Sequence, residues 1–252
     1  MLTVSIDSRI GLGRTALVTG ASRGIGLALA ELLGELGYAL TLVARNEERL
    51  ALTESRLRDR GFDVQAVAVD LQTEEGVVKA VQAHREKYDR LDVLVNNAGF
   101  GISAPIGEFS TSWIDRQLAV NLRSVILFYR EAVDLLEQAG REHGNALVVN
   151  ISSVAGKAGH ELISVYSAAK HGVVGFTQAM NQELSTRGIK SCAICPGYVD
   201  TDLADYFKGE IPAEEMIHTS DIAQMVRGLL YLSRSCVVSE IVMTRPGDAV
   251  VA

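Results

Sequence analysis

The sequence predicts an α/β fold, a doubly wound parallel seven-stranded sheet with helices on both faces, built as a single domain over residues 1 to 252. Three observations predict it. Short apolar runs rich in Val, Leu and Ala alternate with longer stretches of helical periodicity. The runs are almost continuously apolar, as strands buried on both faces must be. No Pro/Ser-rich linker or internal repeat divides the 252 residues, and that length can support one sizeable core.

In chain order, residues 1 to 13 form an N-terminal extension and "TALVTG" (15 to 20) is the first strand, followed by a helix at 25 to 36 that stops at Gly37. "ALTLVAR" (39 to 45) is the second strand, and its helix at 46 to 60 stops at Gly61. "DVQAVAVDL" (63 to 71) leads to a helix at 73 to 87, and "LDVLVNNAG" (91 to 99) to a long helix at 111 to 139 that stops at Gly140. "ALVVNISS" (146 to 153) precedes a helix at 166 to 187 ending at Gly188. "IKSCAICPG" (189 to 197), a helix at 221 to 233 and "EIVMTR" (240 to 245) complete the order. Glycine just past a periodic segment is a stop signal because it readily takes the left-handed conformation that closes a last turn. Gly20 to Gly26, Asp70, Asn96 to Gly99, Ser153 and Pro196-Gly197 all fall at carboxyl ends of strands. A doubly wound sheet keeps its ligand there, at the topological switch point.

Composition narrows the partners. Formal net charge is −7 with no basic tract, which argues against nucleic acid. No uncharged run reaches the roughly 18 residues that a membrane span requires. The N-terminal "MLTVSIDSRIGLGR" lacks a basic region followed by an apolar one, so a cytoplasmic location is expected. Cys192 and Cys195 have the spacing of a redox or zinc half-site, but strand residues three apart point to opposite faces and no second pair completes a metal site. Those two are expected to be plain core thiols, the three cysteines with Cys236 suggest no disulfide framework, and no metal is expected. Asn150-Ile151-Ser152 matches a glycosylation acceptor by chance, within an apolar strand.

"TGASRGIG" (19 to 26) joins the first strand to the first helix with glycines at Gly20, Gly24 and Gly26. Such glycines allow a tight turn and let the backbone approach a pyrophosphate, which sits on the N–H groups and positive dipole end of the helix. The spacing is G-x-x-x-G-x-G rather than G-x-G-x-x-G, and it marks a dinucleotide site in a Rossmann-type sheet. An NAD-specific site would place Asp or Glu at the end of the second strand, where this chain has Ala44-Arg45. Arg45, with Arg23 of the glycine loop, offers guanidinium donors suited to a 2′-phosphate. NADP(H) is therefore favoured. NAD(H) stays the alternative if Arg45 is only a solvated loop residue.

In "ISVYSAAK" (163 to 170) Tyr166 and Lys170 are four apart, one above the other on a helix. A phenol titrates near pH ~10, and a neighbouring ammonium favours the phenolate. At ~4 Å and an effective dielectric of ~20 the attraction is about 4 kcal/mol. Reduction of a carbonyl by hydride builds negative charge on oxygen, which a tunable O–H donor stabilises and protonates. Asn121, an amide on an apolar helix face, needs hydrogen-bond partners if it is buried.

With TGASRGIG, Asp70, NNAG, a strand-end serine and YxxxK in this order, the chain resembles the short-chain dehydrogenase/reductase family from about Thr15 to Arg245. The resemblance implies that Tyr166 is the catalytic acid/base, that Lys170 lowers its pKa and binds the nicotinamide ribose, and that Ser153 orients the carbonyl. It implies that Asn121 holds a water of a proton relay. It implies a cofactor site made by Gly20, Ser22, Arg23, Gly24, Ile25 and Gly26, with Asp70 and Leu71 near the adenine. Asn97, Ala98 and Gly99 would lie beside its ribose, and "PGYVDT", with Pro196, Gly197, Val199 and Thr201, over the nicotinamide and pyrophosphate. It also suggests homotetramers or homodimers built through the long helices.

Substrate choice is expected from the loop between Ser153 and Tyr166 and from the segment after Thr201. Tyr206, Phe207 and Met216 would cover an apolar substrate, and Glu210, Glu214 and Glu215 would disfavour an anionic one. His160 is expected on a loop surface. The ending "EIVMTRPGDAV" departs from the glycine-rich one of many family members that reduce 3-oxoacyl thioesters, which weakens an acyl-carrier-protein assignment. The expected activity is a reversible NADP(H)-dependent reduction of a ketone or aldehyde to an alcohol. A 3-oxoacyl thioester reductase and a non-catalytic NADP(H)-sensing regulatory protein are the alternatives.

Overall fold

The computed structural model describes residues 10–202 and 211–248. Seven parallel strands form one sheet: β1 (Thr15–Thr19), β2 (Ala39–Ala44), β3 (Val64–Ala68), β4 (Val93–Asn96), β5 (Ala146–Ile151), β6 (Ile189–Pro196) and β7 (Glu240–Met243). The strand order is β3-β2-β1-β4-β5-β6-β7. The chain builds outward from β1 to β3, then returns to the middle for β4. That reversal opens a crevice at the carboxyl ends of β1 and β4.

The helices are α1 (Gly24–Glu35), α2 (Glu47–Asp59), α3 (Glu74–Tyr88), α4 (Thr111–Leu118), α5 (Ser124–His143), α6 (Ser164–Leu184) and α7 (Thr219–Leu230). Alternation along the strands divides the core into two layers. Ala16 and Val18 of β1 join Leu29, Leu33, Ile222 and Val226 of α1 and α7. Leu17 between them joins Val77, Phe128 and Leu135 of α3 and α5 on the other face. Burying a side chain of this size contributes about 1.5–3 kcal/mol, so the two layers fix where the strand ends lie. Cys192 belongs to the first layer while Cys195 packs with Val174 and Ala193, so the two thiols do point apart.

All seven expected strands are present, and several stop short of the expected carboxyl end. The run 91 to 99 leaves the sheet after Asn96 because the next backbone groups turn to bond across the crevice rather than along a ladder. The helix expected at 111 to 139 is corrected twice. A π-helical turn, Ala119–Arg123, divides it into α4 and α5, and α5 continues to His143, ending at Gly144 with φ +87°. Gly140 is inside the helix, where a Cβ would lie 2.8 Å from the Gly188 carbonyl oxygen. It was the closeness of two backbones, and not a helix end, that called for glycine. Gly37, Gly61 and Gly188 do end their segments, each with positive φ. Of the expected extension, residues 1–9 fall outside the described residues.

Candidate active site

A cleft of about 560 Å3 lies over the carboxyl ends of β1, β2, β3 and β4. Gly20, Ser22, Arg23, Gly24, Ile25, Arg45, Asp70, Leu71, Asn97, Ala98, Gly99 and Thr201 of the expected cofactor residues line it. Gly20 turns with φ +65°, and a Cβ there would come within 3.0 Å of Ala98 Cα. Gly26 sits behind this wall, where a Cβ would be 2.3 Å from the Gly20 carbonyl oxygen. The turn is held from β4: Thr19 Oγ1 accepts hydrogen bonds from the Asn97 and Ala98 N–H groups at 2.9 and 3.0 Å, and Asn97 Nδ2 donates to the Thr19 carbonyl at 2.9 Å.

The first turn of α1 contains no acidic residue, and its N-cap, Arg23, makes no capping side-chain hydrogen bond. The leading N–H groups and the helix dipole therefore face the cleft uncompensated by a side chain, the condition that suits an anion. Arg23, Arg45, Arg49 and Arg116 bring four guanidinium groups to the same cleft. Arg23 Nη1 lies 2.5 Å from Asp202 Oδ2, and Arg49 Nη1 is 4.0 Å from the same atom. Asn46 caps α2 by accepting from the Arg49 N–H at 2.7 Å.

The sequence reading missed Asn46, Arg49, Gln72, Phe100, Arg116, Val120 and Asp202 as lining residues. Arg49 had a signal, since it lies in the first turn of the helix that follows Arg45. Arg116 had none, because only tertiary packing brings α4 to the cleft. Of the run Pro196 to Thr201 only Thr201 lines it. Pro196 ends β6, Gly197 N–H donates to the Met243 carbonyl at 2.8 Å, and Val199 is buried beside its bridge partner Ile217. These contacts pack the three residues beside β7 and Ile217, outside the lining of this cleft.

Beyond Gly99 lies the cluster carried by β5 and α6. The Ser153 hydroxyl lies near enough to the Tyr166 phenol to favour its ionised form. Its neighbour Ser152 is buried and donates to the Lys170 carbonyl at 3.0 Å, which separates the two serines as the spacing to Tyr166 had done. A Cβ at Gly101 would sit 3.7 Å from the Tyr166 ring, so this loop covers the ring. Lys170 Nζ donates to the Ile151 carbonyl at 2.7 Å and lies 5.5 Å from the Tyr166 ring centroid.

Burial dominates the electrostatics of this pair. Burial pushes the Tyr166 phenol up to about 12, opposed by the neighbouring Ser153 hydroxyl, and burial pulls Lys170 down to about 8. Desolvation disfavours the charged form of both groups. Burial thus favours the protonated phenol at neutral pH.

Asn121 is buried in the π-helical turn. Both its amide N–H groups are used, by the Phe100 carbonyl at 2.8 Å and the Gln117 carbonyl at 2.9 Å, and its Oδ1 accepts from the Phe100 N–H at 3.2 Å. Its side chain anchors the loop after β4. A Cβ at Gly99 would lie 2.7 Å from Asn121 Oδ1 and 3.5 Å from Lys170 Nζ, so the three residues meet at one point. His160 is exposed, as expected. Met216 is buried, Glu214 and Glu215 are exposed, and Tyr206, Phe207 and Glu210 lie outside the described residues.

The model of one protein family, the short chain dehydrogenases, matches residues 14–210. A chain of the monensin polyketide synthase of Streptomyces virginiae, named as a candidate ketoacyl reductase, is 41% identical over 191 residues, covering 76% of this chain and 72% of its own. The solved structure of a variant of the actinorhodin polyketide ketoreductase with NADPH is 33% identical, with a TM-score of 0.81, covering 92% of this chain and 95% of that one. A metagenomic short-chain oxidoreductase in complex with NADP is 30% identical, with the same TM-score of 0.81 and coverage of 94% and 99%.

Proposed function

This chain belongs to the short-chain dehydrogenase family, and from that premise we propose that it is an NADP(H)-dependent oxidoreductase that reduces a ketone or aldehyde carbonyl to an alcohol, reversibly. The observation that carries the reading is the Ser153–Tyr166–Lys170 cluster standing at the end of an arginine-lined cleft whose floor is a glycine turn and an uncompensated helix N-terminus. Those residues fit a phosphorylated dinucleotide: the α1 N–H groups receive the pyrophosphate, and Arg45 with Arg23 or Arg49 receives the 2′-phosphate. When bound, the reduced nicotinamide supplies the hydride.

The remaining chemistry belongs to the chain. Ser153 holds the carbonyl oxygen beside the phenol. Tyr166, protonated at neutral pH, donates its proton as negative charge develops on that oxygen. Lys170 then stabilises the phenolate across the ring. A phenol held near 12 is protonated at neutral pH, the form that can donate to a developing alkoxide. Asn121 keeps Gly99 and Phe100 in place, and any relay water is bound by other atoms than its amide N–H groups.

The likeness to the monensin and actinorhodin reductases supports a second, narrower reading, in which the carbonyl is that of a 3-oxoacyl thioester. A panel of simple ketones, aldehydes and a 3-oxoacyl thioester, followed by loss of NADPH absorbance, separates the two. Tyr166→Phe is expected to lower kcat about 10²- to 10⁴-fold while NADPH still binds. Unimpaired turnover would remove Tyr166 from the mechanism, and binding of NADPH with no carbonyl reduced would favour the sensing protein. We further propose a cytoplasmic dimer or tetramer assembled through α5 and α6, which light scattering of the purified protein tests.

A further inference from the structure

Two non-glycine residues among the described ones have positive φ. Asp89, at φ +51°, closes the end of α3, a role short polar side chains fill with ease. Leu162, at φ +64°, has no such excuse: a branched apolar side chain is strained there, and it is nearly half exposed, at 48%. Leucine has no polar side-chain group to offset that strain, and this residue is not among the buried core.

The surroundings supply a reason for it. Leu162 is the second residue before α6, which carries Tyr166 in its first turn. Its carbonyl accepts from the Ala104 N–H at 2.8 Å, so the loop before α6 is clasped to the loop after β4. The loop after β4 covers the Tyr166 ring through Gly101 and is pinned at Ile102, whose N–H donates to the buried Gln117 Oε1 at 2.9 Å. The clasp therefore ties the loop before α6 to the loop that passes over the Tyr166 ring, and these two loops carry exposed Leu162 and Ile106 and half-exposed Ile102. Strained residues that persist beside a reactive group mark a functional constraint.

We propose that Leu162 is a specificity-determining residue: its side chain, held out by the left-handed backbone, contacts the substituent of the carbonyl substrate and selects apolar chains or rings over small or charged groups. This rests on the reductase reading above and names the substrate class for that site. The backbone clasp holds the two loops together, and the leucine side chain supplies the apolar surface.

The test uses Leu162→Gly and Leu162→Asn, two residues that accept positive φ, so both variants keep the clasp and lose the apolar contact. KM and kcat are measured with NADPH for a long-chain or aryl ketone and for butanone, beside the melting temperature. The expected result is a fivefold to tenfold rise in KM for the large apolar ketone, kcat within twofold, butanone unchanged, and a melting temperature equal to or above that of the parent. An unchanged KM for the large ketone, or an equal loss on both ketones, overturns the proposal while leaving the reductase reading intact. Absence of turnover on every carbonyl in the parent protein overturns both.

Discussion

Lys170 is an ammonium buried to 3% exposure, bonded to one backbone carbonyl and facing an aromatic ring. Its depressed pKa makes a kinetic prediction. With the free enzyme's Lys170 titrating at about 8, kcat/KM for reduction falls as pH rises through that value, because the group that supports the phenolate loses its charge. In Lys170→Arg the guanidinium stays protonated, so whatever activity remains loses that alkaline limb; an identical limb in the variant would assign it elsewhere. The same pair shows what a sequence can and cannot reveal about a residue. Tyr166 and Lys170 were legible as neighbours from their spacing, whereas the direction of their pKa shifts was not. Spacing reports the charge four residues away, but desolvation is set by Gly101, Ile151 and the other segments folded over both groups.

Elements were legible where periodicity and caps agreed. Asn46 and Thr73 cap α2 and α3 through hydrogen bonds to Arg49 and Gly76, as short polar residues before a helical run should. The π-helical turn was not legible, since nothing in "AVNLR" breaks the apolar pattern; only the demand of Asn121 for the Phe100 backbone explains it. Gly140 makes the helix contact testable. In Gly140→Ala the new methyl meets the Gly188 carbonyl, and overpacking of this kind costs about 1–3 kcal/mol. The melting temperature is expected to drop by roughly 2–12 °C with little change in KM; an unaltered value would mean that α5 shifts freely. The loop after β6 carries another prediction. Asp202 occupies the Arg23 guanidinium that a 2′-phosphate would also attract, and both side chains are more than half exposed. A screened pair of this kind is worth at most about 1 kcal/mol. Asp202→Asn should therefore tighten NADPH about two- to fivefold in a fluorescence titration and leave NADH alone. Equal effects on both cofactors would show that the carboxylate does not compete with the phosphate.

For the molecule as a whole, acid resistance depends on the end of the sheet away from the cleft. His84 of α3 is fully buried, with Nδ1 2.7 Å from Thr41 Oγ1 of β2 and Nε2 2.7 Å from the Arg90 carbonyl just before β4. Burial lowers its pKa from 6.5 to about 4, against the opposing bond to Arg90 and the charge of Asp92. The unfolded chain thus takes up a proton that the folded one refuses. The stability tied to neutral His84 is present above pH 6.5 and is lost as pH falls toward 4, on the order of 3 kcal/mol in all. His84→Gln, which retains a donor and an acceptor, should flatten the urea midpoint across that window; the same acid slope in the variant would place the sensitivity in the carboxylates. Sheet order was legible only in part, since strand and helix alternate visibly while the step from β3 back to β4 leaves no mark on composition.

That step has a consequence for biosynthesis. Thr19 is joined to Asn97 and Ala98, 78 and 79 positions later, so the wall of the glycine turn is incomplete until β4 has left the ribosome. A nascent polypeptide halted between α3 and β4 would carry the full "TGASRGIG" segment and still fail to retain a nucleotide, whereas one released after α5 would have both halves. Arrested translation products of graded length, probed for capture by an immobilised dinucleotide, should change abruptly at that junction.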